Sequence, residues 1–195
     1  MTEFAPAFCV VKVGGSLFDL PDLANRLSDW LAHCDEHTLL LPGGGASVEV
    51  IRQLDAIHRL GEERGHWLAL AAMRVNAHFL ASLLPHARVV DALTQSQECW
   101  DNRIVPVLDA LPFCEADAFG GDPLPKSWNV TSDSIAAKVA LQYGAAGLVL
   151  LKSVDLPDGM DWREAARREM IDAYFPSLAD RIQSVRVVNL RRWQG

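Results

Sequence analysis

Lys12, Gly14, Gly15 and Ser16 stand together in FCVVKVGGS (residues 8–16), where an apolar run carrying one lysine ends in two glycines and a serine. LLLPGGGASVEV (residues 39–50) repeats the arrangement without the lysine: three leucines, Pro42, then Gly43, Gly44 and Gly45. Glycine lacks a Cβ and costs chain entropy, so clusters of it mark places where backbone must come close to something. After a strand it leaves N–H groups accessible, and a helix starting behind it aims its positive dipole end at the same point. Ligands of open α/β sheets sit beyond the carboxyl ends of strands. Two such loops on adjacent predicted strands, one with Lys12, favour a phosphate over a pair of plain tight turns.

Other phosphate and metal signatures are missing. No GxGxxG occurs, so the dinucleotide fingerprint is absent, and no HExxH supports a zinc hydrolase. GGDPLPKS (residues 120–127) nearly spells a Walker loop, with Gly120, Lys126 and Ser127 correctly spaced. Pro125 occupies the second glycine position and has no N–H to offer a phosphate. Cys9, Cys34, Cys99 and Cys114 are scattered, with no CxxC pair. Buried reduced thiols are the plain reading, a disulfide or metal role the alternative.

The elements that must position these loops follow from periodicity. Strands are expected at Phe8–Val13, Thr38–Leu41, Ala87–Val90, Ile104–Leu108, Gly147–Leu151 and Val185–Leu190. Helices are expected from Asp19 or Leu20 to Cys34 with Pro21 in the first turn, then at Ala46–Arg59, His66–Leu84, Ser132–Tyr143 and Arg163–Met170. In the second of these, Val50, Ile51, Leu54 and Ile57 or His58 form one stripe expected to face the core. GEERG is read as a break and EADAFGGDPLPKSWN as a mobile or connecting loop. The alternation implies an α/β fold: a three-layer α/β/α sandwich on a mainly parallel central sheet.

With 195 residues, one large domain or two small lobes can bury a real core. A net charge of −7 argues against nucleic acid and anionic membranes as partners, though not against a small anion held by local lysines. No apolar run reaches the ~20 residues of a membrane span. The N-terminal stretch lacks the basic region of a signal peptide, so a cytoplasmic location is expected.

VVKVGGS, PGGGAS and WNVTSDSIAAKVA, in that order along most of the chain, resemble the amino acid kinase family. GHWLALAAM, SWNVTSDSIA and LLKSVD are most similar to its methanofuran-biosynthesis branch, whose kinases convert aminomethyl-furanmethyl phosphate to its diphosphate. The resemblance implies one kinase domain over residues 1–195, with an acceptor half to about residue 125 and a nucleotide half after it. It implies ATP and Mg2+ as cofactors, a small-molecule acceptor, and a homo-oligomer. By the same resemblance Lys12 bridges the transferring phosphoryl group, Asp133 orients the catalytic lysines, and Gly14, Gly15, Ser16 and Ser132 bind the nucleotide phosphates. Gly43, Gly44 and Gly45 take the acceptor side.

Several residues keep two readings. Asp133 could be a first-turn acid favoured by the helix dipole. Lys152 could be the second catalytic lysine or a solvated strand-end lysine. Arg74 could bind an acceptor phosphate or form a salt bridge. His66 could be an acceptor ligand or a helix-start or surface histidine, and Trp128 could flank the site or pack in the core. Asp91, Asp101 and Asp109 could meet an acceptor ammonium or cap and solvate. The chain is short for the family, and VDLPDG departs from its usual VDG stretch, which puts the adenine pocket in question. A nucleotide- or anion-binding member without transfer activity is the rival function.

Overall fold

The computed structural model describes residues 7–157 and 159–194. Strands β1 (Phe8–Val13), β2 (His37–Pro42), β3 (Ala87–Val90), β4 (Val105–Leu108), β5 (Gly147–Lys152) and β6 (Val185–Asn189) form one sheet in the order β3-β4-β2-β1-β5-β6. Every pairing is parallel. The helices are α1 (Leu23–Ala32), α2 (Gly45–His58), α3 (Glu62–Leu83), α4 (Leu93–Asp101), α5 (Ala110–Asp117), α6 (Ser132–Tyr143), α7 (Trp162–Arg167) and α8 (Pro176–Ala179). The expected three-layer α/β/α sandwich is the observed one.

Strand alternation divides the core between the two faces of the sheet. Phe8, Val10, Leu39, Leu41, Leu148 and Leu150 point to one face, where α6 supplies Ile135, Ala136, Val139 and Ala140. Val11, Val13, Leu40, Val149 and Leu151 point to the other, against Leu23, Leu27 and Trp30 of α1. All six β1 side chains are buried, as a central strand covered on both faces requires. Burying each of these aliphatics contributes about 1.5–3 kcal/mol.

Three expectations need correction. The Val50–Leu54–Ile57 stripe is not core: α2 contains no buried residue, and Ile57 is 71% exposed. The reason is position, because α2 packs on α3 and on the short Gly15–Leu17 turn rather than on the sheet. GEERG is no break beyond Gly61; Glu62–Gly65 already belong to α3. Pro21 precedes α1 in a turn. Helices α4, α5 and α8 were not anticipated, and α5 takes the beginning of the supposed loop, with the Asp109 carboxylate accepting from Leu111 N at its start.

The two glycine loops pack directly on each other. A Cβ added to Gly15 would lie 2.1 Å from Gly45 N, and one on Gly45 would lie 2.7 Å from Gly15 O. Gly45 also has φ +52°, a left-handed value that side chains resist. Gly44, by contrast, has φ −73°, and a Cβ there would meet only the Val48 side chain of its own helix. Gly43 and Gly14 are as closely set, with an added Cβ 2.5 Å from Gly15 N and 2.8 Å from Leu151 O respectively, so backbone blocks a side chain at Gly14, Gly15, Gly43 and Gly45. Gly15→Ala should overpack this junction, costing about 1–3 kcal/mol and lowering Tm by about 3–10 °C. Gly121→Ala, with open space around the added carbon, should leave Tm unchanged in the same scanning calorimetry; equal melting of both variants would disprove the interlock.

Candidate functional site

The alternation that fills the core also delivers the cations. Lys12 continues the Phe8–Val10 side of β1, and Lys152 continues the Leu148–Leu150 side of β5, so both lysines reach the face covered by α6 at the strands' carboxyl ends. Asp133, in the first turn of α6, stands between them. Its Oδ1 lies 2.9 Å from Lys12 Nζ and its Oδ2 2.5 Å from Lys152 Nζ. Lys152 also donates to the carbonyl of Met170 at 3.0 Å. All three side chains are nearly buried.

Burial alone would penalise the Asp133 charge, yet the two ammonium groups together hold its carboxyl below the usual range. Lys152 is pushed down to about 8, by burial first and by the charge of Lys12 second, against the opposing pull of Asp133. One carboxylate between two ammonium groups leaves one positive charge over. Among the described residues, Lys12 Nζ has no second partner, and Lys12 lines the cleft beside it.

The surplus charge opens into a cleft of about 730 Å3, whose lining includes Lys12, Gly15, Ser16, Gly44, Gly45, Ser132, Asp133 and Lys152. Not every glycine there offers an amide. Gly14 N–H is spent on Leu151 O at 2.9 Å and Gly43 N–H on Val13 O at 2.7 Å. Among the described residues the N–H groups of Gly15 and Ser16 have no acceptor, and the first-turn amides of α2 have none within their helix. Arg74 does not line the cleft: Asp109 holds it in an ion pair. Asp91, Asp101 and Asp109 are likewise not among the lining residues. Lys126 of the near-Walker stretch pairs with Glu63 at 2.7 Å and stands over Trp67.

Two supporting residues were not foreseen. Asn76, buried on α3, donates from Nδ2 to the carbonyls of Gly43 and Gly44, each at 2.8 Å, and accepts from Ser47 Oγ at 2.9 Å. It ties the GGG loop to a helix. Asp172 accepts from Thr131 N and Ser134 N, each at 2.9 Å, and from Phe175 N at 2.8 Å. Thr131 makes no side-chain cap of its own, so Asp172 caps α6 from a distant segment and sets where Asp133 sits. An aspartate three residues before a helix can be read as a cap from sequence; one that reaches back to residue 131 cannot.

Elsewhere, burial pushes the His66 imidazole below its ordinary value, with Lys126 adding to the effect. The four cysteines are free thiols. Cys9, pushed up to about 12 by burial and by its bond to Glu36, lines a hollow of about 550 Å3 at the amino-terminal ends of β1 and β5, opposite the lysines. Ligand chemistry belongs at the carboxyl edge. No helix among the described residues is long and apolar enough to cross a membrane.

The Lys152 value has a measurable consequence. Above about pH 8 its ammonium loses a proton, and its charge leaves the cleft. ADP affinity, measured by calorimetry at constant ionic strength, should fall about tenfold between pH 7 and pH 9.5. Lys152→Arg, permanently charged, should abolish that fall, and an unchanged profile in this variant would show that Lys152 does not face the anion.

Comparisons with known proteins bear on the family and the fold. The chain is 24% identical over 148 residues to the [5-(aminomethyl)furan-3-yl]methyl phosphate kinase of Methanocaldococcus jannaschii, an alignment covering 75% of this chain and 66% of that protein, just under two thirds of its length. The crystal structure of uridylate kinase from Archaeoglobus fulgidus superposes with a TM-score of 0.63 at 19% identity, covering 94% of this chain and 92% of that one. Carbamate kinase from Giardia lamblia, bound to AMP-PNP, superposes with a TM-score of 0.56 at 11% identity, covering 95% and 93%. The profile of the amino acid kinase family matches residues 7–156, and the chain, with its paired glycine loops and its aspartate between two lysines, belongs to that family.

Proposed function

We propose that this protein is an ATP-dependent kinase for a small anionic acceptor, and that it transfers the γ-phosphoryl group of ATP to a phosphomonoester such as aminomethyl-furanmethyl phosphate. The carrying observation is the Lys12–Asp133–Lys152 bridge at the junction of the two glycine loops. An acceptor oxygen attacks the γ-phosphorus, the bond to the β-phosphate oxygen breaks, and ADP leaves with that electron pair. Such a transfer needs two anions held in line and charge compensated at the moving group. Lys12 faces the transferring phosphoryl, Lys152 the leaving side, and Asp133 keeps both ammonium groups aimed. Gly15, Ser16 and Ser132 hold the nucleotide phosphates, and Gly44 and Gly45 hold the acceptor. The match to a kinase of a phosphomonoester supports the acceptor, and the AMP-PNP bound to the carbamate kinase, a non-hydrolysable form of ATP, supports the donor.

In this reading residues 1 to about 125 form the acceptor half and the rest the nucleotide half. A depression of about 630 Å3, lined by Arg163, Ala166, Arg167, Ala173, Pro176, Ser177 and Asp180, adjoins the cleft and takes the nucleoside. Among the described residues no group of three or more His, Cys, Asp or Glu side chains is placed to hold a metal; Asp172 is taken by protein donors, and Asp133 Oδ1, beside Lys12, accepts no hydrogen bond. The proposal takes Mg2+ as part of the Mg-ATP substrate. The proposal includes a cytoplasmic location, which the use of ATP supports.

The same proposal includes a homo-oligomer. Val50, Leu54 and Ile57 on α2, and Leu68, Val75 and Phe79 on α3, are exposed at helical spacing on two helices that pack together. Helices of these lengths outline a face of roughly 500 Å2, a large share of the roughly 800 Å2 per partner of a standard interface. A second copy presenting the same stripes fits it. Sedimentation velocity should show a dimer or higher species, and Ile57→Glu should reduce it to a monomer; a native monomer at micromolar concentration would refute the interface.

Incubation with Mg-ATP and aminomethyl-furanmethyl phosphate should yield the diphosphate and ADP by mass spectrometry. Lys12→Met should lower kcat by about three orders of magnitude or more with Tm nearly kept, because it removes transition-state charge. Turnover with another phosphate or carboxylate acceptor alone would change the acceptor, and nucleotide binding without any turnover would make the protein the family's non-catalytic kind.

A further inference from the structure

The transfer chemistry makes no use of Arg52. It lies on α2 two turns beyond Gly45, and its guanidinium carbon stands 4.4 Å from the ring centroid of Trp128. Among the described residues no carboxylate pairs with it. The nearby Asp55 is engaged otherwise, accepting from Trp128 Nε1 at 2.8 Å and from Gly61 N at 3.0 Å. Trp128 is fixed on its other side too. A Cβ on Gly65 would stand 2.6 Å from its ring, so α3 meets the indole through the one residue type that leaves it room.

This arrangement prepares a particular kind of contact. Stacking uses the flat face of a guanidinium and leaves its N–H edge free for two parallel hydrogen bonds to an oxyanion. Arg52 and Trp128 line both the main cleft and a small side chamber of about 50 Å3. The chamber walls are largely apolar, including Leu70, Met73, Val130 and Ile135, with His66 among them. A guanidinium with no ion-pair partner among the described residues thus stands between the cleft that holds Lys12 and Lys152 and an apolar recess. A molecule that suits both has an anionic head and a small, flat, weakly polar body.

We propose that Arg52, laid on Trp128, is the acceptor's anion clamp, binding the phosphate of a phosphomonoester whose organic group lies in the cleft against the mouth of the chamber, which at about 50 Å3 is too small to enclose a ring. This rests on the kinase reading for the word acceptor, but not for the binding itself. The proposal also accounts for a coincidence in the chain: Gly65 and His66, from GHWLALAAM, and Trp128, from SWNVTSDSIA, come together at this point.

Benzyl phosphate is a suitable probe, titrated by calorimetry against the whole chain in the presence of AMP-PNP. The native protein should bind it and should not bind benzyl alcohol. Arg52→Gln should weaken benzyl phosphate about 10- to 100-fold while AMP-PNP affinity changes less than about twofold. Arg52→Lys should recover only part of the loss, since a point charge cannot make the paired contact. Arg52 is only half-buried, so a preserved Tm serves as the folding control, and Trp128→Leu, which removes the shelf but keeps the charge, should give an intermediate loss. No binding of benzyl phosphate, equal binding of benzyl alcohol, or unchanged affinity in Arg52→Gln would each overturn the clamp. Arg52-dependent binding without phosphoryl transfer would leave the clamp standing and refute the kinase, whereas transfer to a phosphomonoester with an unaltered KM in Arg52→Gln would refute the clamp alone.

Discussion

One buried carboxylate between two ammonium groups governs the architecture of the site. Asp133 cannot stand in the seam of β1 and β5 without both lysines, because an unpaired buried charge costs several kcal/mol. Neither lysine can hold its place without Asp133, because the two would repel. The charges therefore hold each other, and the triad taken by itself keeps one positive charge over, which the nearby Asp172 offsets only in part. The surplus has an energetic cost, visible in Lys152, which burial and Lys12 push down to about 8. An anion in the cleft would relieve that cost. A chain with net charge −7 can thus attract a polyanion at one point, since field focused in a low-dielectric cleft outweighs distant surface charge.

The rest of the edge serves to keep this point in register. Parallel pairing sets Lys12 opposite Leu150 and brings Val13 opposite Leu151, so the two strand ends finish level. Gly14 N–H then bonds to Leu151 O and Gly43 N–H to Val13 O, which sews the three loops together in strand order. Asn76 and Asp172 close the frame from opposite sides, one holding the carbonyls of the GGG loop and the other the amides of α6. The glycines do not primarily make room for a ligand. They make room for each other, and the ligand meets what that packing leaves exposed.

How much of this could be read beforehand follows from how local each cause is. β1, β3 and α6 were placed to the residue, because a continuous buried run, a short apolar run and an S-D start with Gly144 at φ +67° are local signals. Lys12 and Asp133 could be named from the family pattern, but not their distance from Lys152, which depends on strand order. The α2 stripe misled because periodicity reports an apolar face without saying what covers it. Helix α5 hid in ALPFCEAD, whose apolar residues have no clear helical period. Arg74 had a plausible charge, but Asp109, 35 residues away, takes it. Asp172, Asn76 and Arg52 act through partners that only the tertiary fold brings near.

The two ends of the cleft are built under different constraints. The phosphoryl end is made of strand termini and the start of α6, where nearly every side chain is buried. A change there disturbs core and charge together. The acceptor end is made of α2, the first turns of α3 and the segment around Trp128, and α2 has no fully buried residue, Val48 alone packing partly on the core. Its attachments are its packing on α3, the Gly45 junction and the Asn76 bonds, and its half-buried positions can vary at less cost in stability than the strand ends. The fold can then keep one transfer apparatus and present different clamps to different acceptors. The residues deciding what is phosphorylated should accordingly be sought on half-buried positions such as Arg52, while the residues deciding that a phosphoryl group moves lie where alternation along β1 and β5 brings lysines to an aspartate.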